Sequence, residues 1–376
     1  MSKALYYYFP LIALIAFMIY DVSHHNVLVI VGFLLSLPYT IKYVLKGSFV
    51  ELRGFLLIVF CASLMNLITT DNGIGGSILF IGSCGITAFC INNLKSIQYL
   101  LIIVIVYVLW FLYTQIFING VQVEDILESV HLSKNYPGCL LVMLCCFWGF
   151  IKYIHYRKLP LVLPIASTIM AFFLDGRSSL ICLVLLTAFC LVFRNKKTFF
   201  ITLPLALVII SILLPSIEEL YSLSSLSTHG METSRYKIWE SYFHNLDFPS
   251  LLFGLETHNL PYLKDYEGNP HNSLLNFHYR MGLIGVITIL YYLLKSWKIY
   301  LKNRLYVLLF FSVVLWTRMF ADSCLVSAMD FIVFSMLFYS YQLIRDKRLQ
   351  QEFHSITETN NKKIYIKVVY GLLSVL

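Results

Sequence analysis

Leu100–Ile118 reads LLIIVIVYVLWFLYTQIFI and carries no charge. As a helix rising about 1.5 Å per residue, it nearly matches a bilayer hydrocarbon core of about 30 Å. Lys158–Leu174, Phe199–Pro215 and Met281–Leu294 repeat the pattern. Across the chain, 59% of residues are hydrophobic, 13% are charged, and mean hydropathy is +0.76. These values exclude a soluble globular domain and predict an all-α polytopic membrane protein. Hydropathy places about twelve spans near 4–20, 26–42, 54–70, 74–91, 97–118, 138–154, 158–174, 178–193, 198–216, 276–295, 304–321 and 324–343. The glycine-rich 74–91 segment is the weakest of them.

Charge tests that count. Twelve crossings place the N-terminus, the even-numbered connections and the tail at 344–376 on one side, with 21 of the 28 Lys and Arg residues. Basic residues are retained in the cytoplasm during insertion, so both termini are expected inside. The formal charge of +8 is therefore a topology signal and implies no nucleic-acid partner. Lys3 followed by Ala4–Tyr20 has a signal-like shape. Without a small-residue cleavage site, and with a second span following at once, it reads as an uncleaved first helix. All nine cysteines fall in predicted spans without a CxxC pair, so they read as buried small hydrophobes, with neither a disulfide framework nor a metal site.

The chain reads as a single integral membrane domain, 1–376. Two outward connections are long, Asn119–Pro137 and Ser216–Leu275. In the second, Leu220–Gly230 is Ser-rich and expected to be irregular. Thr233–Asn245 spaces Tyr236, Trp239, Tyr242 and Phe243 as an aromatic face on a short interfacial helix. Pro270 suits the first position of the next helix, where its missing N–H would be unpaired anyway.

Seven basic residues fall on the outward side: Lys134, Arg177, Arg235, Lys237, Lys264, Arg280 and Arg318. Arg177, Arg280 and Arg318 sit at outer span ends, where insertion disfavours positive charge. Guanidinium groups gathered at one face suit a phosphate or pyrophosphate, through bidentate charge-assisted hydrogen bonds. The alternative is that each arginine pairs with a nearby acid, such as Asp175 or Asp322, and anchors a helix end. Pro270-His271-Asn272-Ser273 lies at the boundary between loop and span. A neutral imidazole there can take a proton from a hydroxyl, or simply hydrogen-bond a helix start. Asn272 could cap the helix, and Gly282 and Gly285 could allow close packing.

His271-Asn272, nine residues, Gly282, two residues, Gly285 resembles the His-Asn…Gly-x-x-Gly signature of the O-antigen polymerase and O-antigen ligase superfamily. Asp175-Gly176-Arg177-Ser178-Ser179 resembles that family's Ser-Arg-small run, with Gly176 in place of the usual Ser. Ser234-Arg235…Trp239, then Pro249…Phe253-Gly254, resembles its Arg-x-x-x-Trp…Pro-x-x-Gly segment. The detailed similarity covers 170–290; the remainder matches only in hydropathy.

The resemblance implies a GT-C-like membrane fold in the bacterial inner membrane, with a periplasmic loop at 216–275 between spans 9 and 10 that carries part of the active site. It implies a glycosyltransferase that moves a glycan from undecaprenyl pyrophosphate to an acceptor hydroxyl, with no metal, cofactor or nucleotide sugar. Carried over, Arg177 and Arg235 hold the pyrophosphate, and His271 orients or deprotonates the acceptor. Asn272 and Trp239 line the glycan site. Arg280 and Arg318 join it on charge placement alone. The expected partners are the lipid-linked oligosaccharide, an acceptor glycan or lipid A–core, membrane lipids and, as an open question, a chain-length regulator. The short chain, the modest loop and Asp322-Ser323-Cys324…Asp330-Phe331 favour polymerase over ligase. A lipid-linked glycan flippase ranks lower, because deep charges are few and no repeat is evident.

Overall fold

A computed structural model describes residues 3–23, 25–69, 75–120, 136–174, 177–194, 235–257, 260, 262–264, 268–323, 325, 327 and 329–346. Among these the fold is helical and contains no strand. The helices are α1 (Lys3–Ser23), α2 (Asn26–Tyr39), α3 (Val50–Thr69), α4 (Gly75–Asn92), α5 (Leu94–Tyr113), α6 (Tyr136–Tyr156) and α7 (Val162–Phe173). They continue as α8 (Arg177–Arg194), α9 (Arg235–His244), α10 (Phe248–Phe253), α11 (Ser273–Lys302), α12 (Tyr306–Phe320) and α13 (Asp330–Arg345). Helices occupy every segment expected from hydropathy except 198–216, which lies outside the described residues, as do Leu220–Gly230 and nearly all of the tail.

Among the described residues, five helical stretches are long and apolar enough to cross a membrane: Asn26–Leu45, Val50–Ile68, Leu94–Ile118, Tyr136–Tyr156 and Ser273–Lys302. The other apolar helices have shorter described lengths. Of the five, Tyr136–Tyr156 is 83% buried and Leu94–Ile118 only 17%, which puts α6 at the centre and α5 at the edge. The edge is greasy: Ile103, Tyr107 and Trp110 of α5 are exposed. Such surface is costly in water and suits lipid.

Rings fill the centre. Phe55 of α3 packs against Phe80 of α4 at 5.3 Å, Phe334 of α13 at 5.2 Å and Tyr292 of α11 at 5.6 Å. Phe189 of α8 stacks on Phe310 of α12 at 3.8 Å. Two tyrosine hydroxyls inside this core find acceptors: Tyr300 donates to the Met336 carbonyl at 2.6 Å and Tyr341 to the Tyr292 carbonyl at 3.0 Å. A hydroxyl left unpaired at such depth would cost the full desolvation of the group. At one end of the bundle, Arg345 binds the Ser48 carbonyl and Glu51, both at 2.8 Å, tying α13 to the α2–α3 connection. Among the cysteines, Cys139 in the first turn of α6 is disulfide-bonded and Cys61 of α3 is exposed, which corrects the reading of all nine as buried and unbridged.

The helix α11 breaks at Gly282, where φ is +60 and ψ −173, a conformation open only to glycine. A Cβ there would collide with the Leu252 carbonyl of α10. Gly282→Ala should therefore cost about 1–3 kcal/mol in backbone strain alone, with the collision added. The measurement is the thermal midpoint in detergent; an unchanged midpoint would remove the break.

Candidate functional site

The start of α11 is built by side chains. Asn272, with φ −154 and ψ 125, caps the helix: its Oδ1 accepts from the N–H groups of Leu274 at 2.9 Å and Leu275 at 3.2 Å. Two of the helix's orphan donors are thereby satisfied. The helix thus begins at Ser273, three residues beyond Pro270, because the asparagine supplies the better cap. The same residue reaches across to the turn after α12. Its Nδ2 donates to the Phe320 carbonyl at 3.0 Å, and its N–H donates to Ser323 Oγ at 3.1 Å. Ser273 Oγ donates to the Asp322 carbonyl at 2.6 Å, and Asn276 to that of Leu325. This stitching places Asp322 beside His271.

Arg318, in the last turn of α12, is fully buried. Its Nε donates to Ser179 Oγ of α8 at 2.8 Å, and its Nη2 lies 3.1 Å from Asp322 Oδ2. A buried guanidinium is tolerable only when paired and hydrogen-bonded in this way. Ser179 in turn faces Gly138 of α6, where a Cβ would come within 2.7 Å of Oγ. The first turns of α6, α8 and α11 therefore meet around Arg318 and Asp322. Each helix start carries partial positive charge, which favours an anion among them.

Asp322 is that anion. Burial raises its carboxyl pKa, but His271, the Arg318 charge and the Ser323 N–H, 2.8 Å away, outweigh burial and hold it below the ordinary 3.8. His271 Nδ1 lies 3.6 Å from Asp322 Oδ1, an ion-pair contact longer than a hydrogen bond. The His271 side chain is 14% exposed, and its backbone adopts φ +48, with its N–H on Asn269 Oδ1 at 2.8 Å. A non-glycine residue held at positive φ marks a place where the fold overrides local preference.

Trp239 joins the group from the loop: its indole N–H donates to the Pro270 carbonyl at 3.0 Å. The expectation of a single aromatic face on this helix needs correction. Ile238 and Tyr242 of α9 are buried with Leu263 and Tyr279, and Trp239 packs on them, while Tyr236 and Phe243 point outward. The helix docks with its ring hydroxyl on His278 of α11 and its indole N–H on the Pro270 carbonyl just before α11.

The expected site residues thus divide. His271, Asn272, Trp239 and Arg318 come together. Arg280 is apart: its guanidinium lies over the Tyr279 ring at 4.7 Å, and it has no carboxylate partner among the described residues. α8 begins at Arg177 and α9 at Arg235, but both side chains lie outside the described residues. Arg318 takes Asp322 as its partner, one helical turn away, as the alternative reading of the arginines had it. The sequence reading missed Ser179 as that arginine's acceptor and the pairing of His271 with Asp322. The first sits in the quoted Asp175–Ser179 run. For the second, no local spacing signals a contact between residues so far apart in the chain.

No family model matches the chain, and no curated protein is significantly similar to it.

Proposed function

We propose that the chain is an inner-membrane glycosyltransferase of the O-antigen polymerase and ligase type. In this reading it has twelve spans in a GT-C-like arrangement, both termini in the cytoplasm, and the His271–Asp322 end of the bundle in the periplasm. The observation that carries it is the pairing of His271 with an ionised carboxylate, braced by a buried arginine, where three helix starts converge.

A proton on Nδ1 facing Asp322 makes Nε2 the basic nitrogen. Nε2 takes the proton of an acceptor sugar hydroxyl as its oxygen bonds to the donor's anomeric carbon. The bond from that carbon to the pyrophosphate oxygen breaks, and undecaprenyl pyrophosphate leaves. Arg177 and Arg235 neutralise the charge gathering on the leaving group. Arg318 does not reach the substrate; it holds Asp322 ionised and in place. Asn272 and Trp239 shape the backbone around His271. Such a reaction draws its energy from the sugar–pyrophosphate bond, so the protein supplies position and charge.

Deleting the gene from its source strain and running lipopolysaccharide on a ladder gel tests the assignment. Core capped by a single repeat unit is the expected polymerase phenotype. Bare core, with polymer stranded on undecaprenyl pyrophosphate, identifies the ligase instead. A normal ladder together with loss of another surface polysaccharide changes the glycan and leaves the chemistry. Intact surface glycans throughout would sink the proposal.

A further inference from the structure

The loop helices are fastened to α11 where α11 breaks. With six residues, α10 is far too short to be stable alone. Its N-terminus is closed by Asp247 and Ser250, whose side chains each accept from the other's backbone N–H, at 2.8 and 2.9 Å. Its last carbonyls, which lack partners within the helix, are taken by the capping Gly254 and by the bundle. The Ser250 carbonyl accepts from the Gly254 N–H at 2.9 Å. The Leu251 carbonyl lies 2.9 Å from His278 Nε2, and the Phe253 carbonyl accepts from Asn66 Nδ2 at 2.6 Å. Between them, the Leu252 carbonyl packs against Gly282.

Two side chains do most of this joining. A carbonyl only accepts, so His278 Nε2 carries its proton. Nδ1 is then the acceptor for the Tyr242 hydroxyl of α9, 2.6 Å away. One imidazole thereby links both loop helices to α11, and it is buried. Asn66, near the end of α3, also donates to the Tyr279 carbonyl at 2.9 Å, on the last turn before the break. One turn along α9 from Tyr242, Trp239 holds the Pro270 carbonyl, next to His271.

We infer that Asn66, His278 and Tyr242 are positioning residues: they clamp α9 and α10 onto the broken helix and so set the backbone that presents His271 and the start of α9. Their hydrogen bonds run to the Leu251, Phe253 and Tyr279 carbonyls and between His278 and Tyr242. The geometry stands by itself, whereas the consequence for turnover rests on the transfer reaction proposed above.

The test uses the full-length protein in nanodiscs, with bioorthogonal spin labels at the exposed positions Tyr236 on α9 and Leu294 on α11. Asn66→Asp keeps the size but replaces the donor with an acceptor facing two carbonyls. His278→Leu removes both hydrogen bonds, and His278→Gln can remake them. The label-to-label distance should be narrow in the wild type and broad in Asn66→Asp and His278→Leu, and should narrow again in His278→Gln. With undecaprenyl-pyrophosphate-linked repeat units as substrate, turnover per folded molecule should fall about 10- to 100-fold in the first two, the scale of a misplacement near 1 Å. His278→Gln should recover most of that loss. Unchanged distances in both disruptive variants would overturn the clamp. Broadened distances with full turnover would overturn the positioning role. A wild type that transfers no glycan rejects the reaction itself, and the distances then decide the clamp independently.

Discussion

His271→Ala is expected to lower glycan transfer by about 10²–10⁴-fold, the range typical of losing a positioned general base, at unchanged protein level. The fold should tolerate it. His271 lies before α11 begins, and the capping bonds of that helix belong to Asn272. Asp322→Asn makes a companion variant. It keeps the side chain's size but removes the charge that orients Nδ1, so turnover should fall while donor binding persists. The measurement is single-turnover transfer from a lipid-linked repeat unit in nanodiscs, normalised to folded protein. If His271→Ala transfers at more than a third of the wild-type rate, the general-base assignment fails, whatever the remaining site does.

The second large effect concerns stability. Asp322→Ala removes the carboxylate paired with the fully buried Arg318 guanidinium, and breaking a buried pair from one side costs about 3–5 kcal/mol. Arg318→Met combined with Asp322→Ala removes both charges and should recover a large part of that loss, because the two residues are coupled. Reversible unfolding in mixed micelles measures both. A single variant within about 1 kcal/mol of wild type would mean the pair holds nothing together, against the usual cost of an unpaired buried charge.

The same carboxylate gives the pH dependence its sign. Its folded-state pKa lies below the ordinary 3.8, so the unfolded chain binds more protons as acid is added. The contribution of Asp322 is therefore complete at neutral pH. It is lost as pH falls through the ordinary carboxylate range towards the depressed value, and this loss should be absent from Asp322→Asn.

Composition and hydropathy were sufficient for the helical architecture. A segment such as Leu100–Ile118 can bury its backbone polar groups in lipid only as a helix, whatever its neighbours do. The capping asparagine was legible for a similar reason, since Asn272 bonds to N–H groups two and three residues ahead. Arg318 and Asp322 stand one helical turn apart, so their pairing was open to inspection as well. These are local relations, and local relations are written in spacing.

What only the tertiary structure decided are meetings between distant segments. His271 reaches Asp322, Ser179 reaches Arg318, and Asn66 reaches Phe253 because packed helices bring them there. Nothing in the spacing of a histidine before one helix and an aspartate after another says they will touch. The role of Gly282 was hidden in the same way. Read along the chain, it could be a packing glycine. Its positive φ became necessary only when the carbonyl of Leu252, from a loop helix, came to occupy the space a side chain would need.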